Sequence, residues 1–189
     1  IHQMKKKEPN KVFIEVLKNF NGEIQIAYKL GGKSARDFYP GFDNFMEEVI
    51  SLNYKDSIVF LDSKTPTIDL LKVSDCILGF HTLGIIEAMF TDKPICYGAW
   101  GELFNDIKDT LIPFHKMKGI NYCENPVMLK DCLIKIISND IKITYHREER
   151  DRNIEKFLFK ADGSSSFRLF QVLKEVYENF NYQNKTNLY

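Results

Sequence analysis

The period of the apolar positions changes repeatedly along the chain, and each change marks an element. In residues 10–20 (NKVFIEVLKNF), Val12, Phe13, Val16, Leu17 and Phe20 fall at helical spacing. Asn21 and Gly22 then stop the helix, because both tolerate a left-handed backbone. Residues 24–28 (IQIAY) alternate as a strand, 29–33 (KLGGK) form a loop, and Tyr39-Pro40-Gly41 is a turn. Residues 42–52 are amphipathic and helical, 57–61 (SIVFL) a short strand, and 67–73 a helix entered through Thr65-Pro66. Residues 75–78 (DCIL) are an apolar strand, 79–84 (GFHTLG) a loop, 85–91 (IIEAMFT) a helix, and 95–97 (ICY) another strand. The connection 98–118 carries a helix near 102–110, residues 119–122 form an edge strand, and 126–137 an amphipathic helix. The charged stretch 145–160 reads as a surface helix or linker, and Asp162-Gly163-Ser164-Ser165-Ser166 opens a last helix over 167–180. Residues 1–9 read as a disordered or truncated segment and 181–189 as a frayed tail, leaving 10–180 as one domain.

Strands separated by single helices predict right-handed crossovers and a parallel sheet. The strands at 75–78 and 95–97 are apolar without alternation, as expected where helices cover both faces. The fold class is therefore α/β, Rossmann-like, with helices on both sides of a parallel sheet.

Composition narrows the function classes. The 189 residues carry 26 basic and 26 acidic side chains, so a strongly basic nucleic-acid surface is disfavoured. No apolar run is long enough to span a membrane. The expected location is cytoplasmic, with peripheral attachment at the inner membrane face as the alternative. Cys76, Cys96, Cys123 and Cys132 form no CxxC pair, which argues against a structural zinc site and for reduced thiols in the core.

In an open parallel sheet the ligand sits beyond the carboxyl ends of the strands. The loop from Gly79 to Gly84 leaves such an end and enters a helix, whose unpaired N–H groups favour a phosphate. Gly79 and Gly84 permit close backbone approach, His81 and Thr82 add donors, and Glu87 lies within reach of a ribose hydroxyl. Close packing at Gly84 is the plainer alternative. Ser164 and Ser165 present hydroxyls at a second helix start, with Arg168 one turn on. An ordinary N-cap and a surface ion pair are the alternatives there. Lys29 and Lys33 follow the first strand. Tyr97, Trp100 and Phe104 are candidates for stacking on a base or sugar, with core packing as the alternative. His2, His115 and His146 read as isolated residues. No carboxylate pair, GxSxG, HExxH or P-loop occurs.

The run from Ser74 to Ile95, with Glu87-Ala88 and Lys93-Pro94, resembles the donor-site stretch of GT-B glycosyltransferases. Asp162-Gly163-Ser164-Ser165 with Arg168 is similar to the C-terminal motif of bacterial capsule and teichoic-acid-type polymer transferases. The resemblance covers most of residues 10–175. It implies the donor-binding half of a GT-B enzyme that moves a sugar or polyol phosphate from a nucleotide-activated donor to a surface glycan or lipid-linked acceptor. No cofactor or obligatory metal is implied. His81 and Thr82 would meet the donor phosphates, Glu87 the ribose, and Ser164, Ser165 and Arg168 would assist the phosphates. Lys29 stands where such enzymes often carry a Lys followed by Pro-His-Pro, here replaced by Leu30-Gly31-Gly32. A general base and the acceptor site would come from an N-terminal domain outside these residues, so this chain alone is expected to bind a nucleotide and turn nothing over. The alternatives are an enzyme of the UDP-N-acetylglucosamine 2-epimerase type and a degenerate, non-catalytic nucleotide-sugar-binding or assembly module.

Overall fold

A computed structural model describes residues 7–29, 42–62, 64–139, 147–160 and 162–186. Lys33, the Leu30-Gly31-Gly32 segment, the turn at 39–41, His2 and His146 lie outside the described residues. The chain divides into two compact units, Ile1–Arg150 and Asp151–Tyr189.

In the first unit the expected order appears. It runs α1 (Lys7–Asn19), β1 (Ile26–Lys29), α2 (Phe42–Ser51), β2 (Ile58–Leu61), α3 (Thr67–Val73), β3 (Ile77–Gly79), α4 (Gly84–Ala88), β4 (Ile95–Gly98), α5 (Glu102–Ile107), β5 (Asn121–Cys123) and α6 (Pro126–Ile137). All strand pairs are parallel. The fold is thus α/β, with parallel strands flanked by helices in the Rossmann-like manner. The hydrogen bonds form two small sheets rather than one: β1 with β2, and β3-β4-β5 in that order. Side chains bridge what the backbone does not, since Ile24, Leu78 and Phe80 pack against the core clusters of both sheets.

Local chemistry explains the element ends. Asn21 (φ 49°) and Gly22 (φ 75°) are left-handed, and the Gly22 amide closes α1 by donating to the Leu17 carbonyl at 3.0 Å. Asn125 caps α6 by accepting from the Met128 amide at 2.9 Å, and Pro126 occupies the first turn, where its missing N–H costs nothing. Helix α1 serves both halves of the core. Val12 and Val16 join Leu129, Leu133 and Ile136 of α6, whereas Phe13, Ile14 and Leu17 join Phe45 and Val49 of α2. Strand β4 is the central strand of its sheet and is buried at every residue, which accounts for its unbroken apolar sequence.

Within the charged stretch expected to lie on the surface, Arg147, Glu148 and Arg152 are exposed, and Arg150 is the departure. The stretch begins helix α7 (Arg147–Leu158), and Arg150 is only 1% exposed. Its guanidinium donates to the carbonyls of Gly119 (3.0 Å), Thr91 (2.7 Å) and Lys93 (2.9 Å). These lie just before β4 and β5, so a planar five-donor group ties down the segments feeding two strands.

The second unit holds the rest of α7 and α8 (Ser165–Thr186). The backbone of α8 stays helical to Thr186, through residues expected to fray. Phe167, Leu169, Phe170, Leu173, Val176 and Phe180 on this helix are exposed.

Candidate functional site

Strand β3 ends at Gly79, a buried position against which α4 packs closely. A Cβ there would come within 2.6 Å of Ile85 Cγ1 and 3.1 Å of Thr82 Cγ2. The glycine is therefore required by the seating of α4, a reason that needs no ligand. Gly84 differs, for a Cβ there would make only ordinary contacts, 3.7 Å from Thr82 Oγ1 and 3.8 Å from its Cγ2.

Between them the chain turns through His81, whose φ of 51° is left-handed. Non-glycine residues seldom adopt this conformation, although histidine does so more readily than most. The imidazole is half-buried, with Nδ1 3.0 Å from the Tyr97 hydroxyl and its ring 5.4 Å from that of Phe114. Burial holds the imidazole below its ordinary pKa. Tyr97 is fully buried, and burial with the neighbouring Tyr122 raises its phenol, so both partners are neutral near pH 7. The tautomer decides which of them donates. When the phenol donates, the imidazole hydrogen sits on Nε2, the form in which a neutral histidine can donate to an anionic oxygen.

This pair belongs to an aromatic layer at the carboxyl ends of β3, β4 and β5. Tyr97 and Tyr122 are register partners in β4 and β5, and the rings of Phe104 and Phe114 lie 6.3 and 5.4 Å from that of Tyr97. Tyr97 and Phe104 are thus core residues rather than stacking surfaces, and the partly buried Trp100 packs on Phe80 at 5.9 Å. His115 is not isolated. Its ring lies 5.8 Å from Phe104 and 5.9 Å from Tyr122, and its Nε2 is buried without a hydrogen-bond partner. Burial is the main cause lowering its pKa, followed by the charges of Lys116 and Lys108.

The amides at the start of α4 are largely partnered within the loop. Gly84 N donates to Thr82 Oγ1 (3.3 Å), Ile85 N to the Thr82 carbonyl (3.1 Å), and Ile86 N and Glu87 N to the Leu83 carbonyl (2.9 and 3.2 Å). Thr82 is nevertheless exposed, as is Glu87, and the Thr82 hydroxyl keeps its own hydrogen to donate. Lys29 is exposed at the end of β1 and donates to Thr67 Oγ1 at 2.7 Å, at the start of α3. The structure therefore brings together Gly79, His81, Thr82, Gly84 and Glu87, while Lys29 engages a different helix.

In the second unit the Asp162–Arg168 turn is closed on itself. Arg168 Nη1 donates to both Asp162 carboxylate oxygens (2.7 and 2.8 Å), and Nη2 donates to Ser165 Oγ (3.1 Å) and the Lys160 carbonyl (3.2 Å). The Ser164 amide donates to Asp162 Oδ1 at 2.9 Å. Arg168 and then the Ser164 amide hold the Asp162 carboxyl below its ordinary pKa. In the first unit a groove of about 250 Å³ is lined by Lys11, Glu15, Val127 and Lys130, none of them a predicted site residue.

Among the described residues no group of three His, Cys, Asp or Glu side chains is arranged to hold a metal ion, and no helix is long and apolar enough to cross a membrane. No protein-family model matches the chain, and no curated protein matches it.

Proposed function

We propose that this chain is the nucleotide-donor-binding half of a glycosyltransferase of the GT-B kind, holding a nucleotide-activated sugar or polyol phosphate destined for a surface glycan. The observation that carries the reading is His81. A non-glycine residue in the left-handed region, at the carboxyl end of a parallel strand and with its ring held by a buried tyrosine, fits a site kept for ligand contact. On this reading His81 Nε2 and the Thr82 hydroxyl donate to the donor's phosphate oxygens, and Glu87 accepts from a ribose hydroxyl. As the bond to the donor diphosphate breaks, those donors stabilise the growing charge. The acceptor and general base come from another domain.

Calorimetric titration with UDP-, CDP- and CMP-linked sugars tests the proposal. Saturable binding to one class, weakened at least tenfold in both His81→Ala and Glu87→Ala, is the expected result. Binding unchanged in both variants would remove these residues from the site.

A second reading rests on the internally partnered amides of α4 and the Asp162–Arg168 pair. Both leave fewer donors for phosphate, as in a degenerate module used for assembly. Absence of binding to every nucleotide tested would favour it.

A further inference from the structure

All four cysteines, at spacings of twenty, twenty-seven and nine residues in sequence, converge in one core cluster. Cys96 lies on β4 and Cys132 on α6, and their sulfurs are 3.5 Å apart. The other two thiols point to backbone, Cys76 donating to the Ile77 carbonyl and Cys123 to the Asn121 carbonyl, so Cys96–Cys132 is the thiol pair in contact. All four are reduced. Cys96 and Cys123 are 0% and 1% exposed, whereas Cys132 is only partly buried. A small oxidant therefore meets Cys132 before it meets Cys96.

The geometry points to Cys96 and Cys132 as a reversible dithiol–disulfide pair, with Cys132 as the attacking sulfur and Cys96 as the resolving one. The co-reactant is a hydroperoxide. The Cys132 thiolate attacks one oxygen of hydrogen peroxide, the O–O bond breaks, and the other oxygen leaves as hydroxide, giving a sulfenic acid on Cys132. The Cys96 sulfur then attacks the Cys132 sulfur, the S–O bond breaks, and water leaves. Over both steps two thiols lose two electrons and two protons, and the peroxide becomes two waters. The surroundings favour the assigned order. The neighbouring thiols of Cys123 and Cys96, with the charge of Lys135, lower the pKa of Cys132, whereas the neighbouring thiols and burial raise that of Cys96.

The bond would join α6 to the central strand across a separation of 36 residues, restricting the unfolded chain. It would also fix the strand one residue before Tyr97, the partner of His81. This inference is independent of the nucleotide-binding proposal.

Exposure of the full chain to one equivalent of hydrogen peroxide, followed by intact mass and a non-reducing peptide map, tests it. The expected product has lost the mass of two hydrogens, carries a Cys96–Cys132 linked peptide, melts at a higher temperature, and reverts with dithiothreitol. Cys96→Ser should stop at a dimedone-reactive sulfenic acid on Cys132. A dominant link between another pair, irreversible Cys132 oxidation without a link in the unaltered chain, or four alkylatable thiols after excess peroxide would each overturn the assignment. These readings on the unaltered chain remain decisive if the serine variant does not fold.

Discussion

The loop around His81 and the turn around Asp162 look alike in sequence. Each places glycine and hydroxyl residues at a helix start, with a basic or imidazole side chain close by. The structure separates them by what their polar groups already hold. In the turn, the full charge of Arg168 is matched by a full carboxylate at 2.7 Å in an exposed setting. In the loop, His81 is half-buried and its Nδ1 lies 3.0 Å from a neutral phenol. An exposed ion pair exchanges readily with water and salt and contributes little to stability. A half-buried imidazole at a left-handed backbone position is fixed by packing, and its charge state is coupled to folding. A common motif grammar therefore conceals a surface latch in one unit and an element built into the core in the other.

Five measurements sharpen or break this contrast. Gly79→Ala drives a methyl group into the fully buried Ile85 and should cost about 1–3 kcal/mol by chemical denaturation, as overpacking does. An unaffected midpoint would mean that α4 does not rest on β3 as described. Tyr97→Phe removes the hydroxyl partner of His81 and should cost about 0.5–1.5 kcal/mol, the range for one hydrogen bond.

The pH dependence follows from His81 and His115, both lowered by burial from the ordinary value of 6.5. As pH falls through that value, the unfolded imidazoles bind protons before the folded ones do. The contribution of the neutral histidines is thus present above the ordinary pKa and lost as pH falls toward the folded values. Denaturation midpoints should drop between about pH 7.5 and about pH 5.5, and the drop should shrink in a His81→Gln, His115→Gln double variant. A profile unchanged by the double variant would assign the acid sensitivity elsewhere.

Gly84→Ala meets no close atom and should gain roughly 0.4–1 kcal/mol by restricting the unfolded chain. Weaker nucleotide binding in that variant, with the fold intact, would show that Gly84 serves ligand approach. Arg168→Ala should leave the unfolding midpoint almost unmoved. A large loss there would make the exposed latch a structural element and erase the contrast.

The site was only partly legible in the sequence. Strand, loop and helix around His81 follow from local patterns, as does the histidine's place at a strand end. Its pairing with Tyr97 does not, because sixteen residues separate the two and only the β3–β4 register joins them. Gly79 and Gly84 read as equivalent along the chain, and only the position of Ile85 distinguishes them. His115 looked isolated because the rings that surround it come from α5 and β5.

What the sequence determined by itself is the list of elements and their order: where apolar spacing changes from helical to strand-like, where Asn21 and Gly22 stop α1, and where Asn125 and Pro126 begin α6. These depend on residues within a few positions of one another, so the chain carries them locally. Tertiary structure decided that the strands divide into two hydrogen-bonded sheets, that Arg150 turns inward onto three carbonyls, and that four scattered cysteines share one cluster. Each requires groups far apart in the chain to meet, and the energy of such a meeting exists only once packing has removed the water between them.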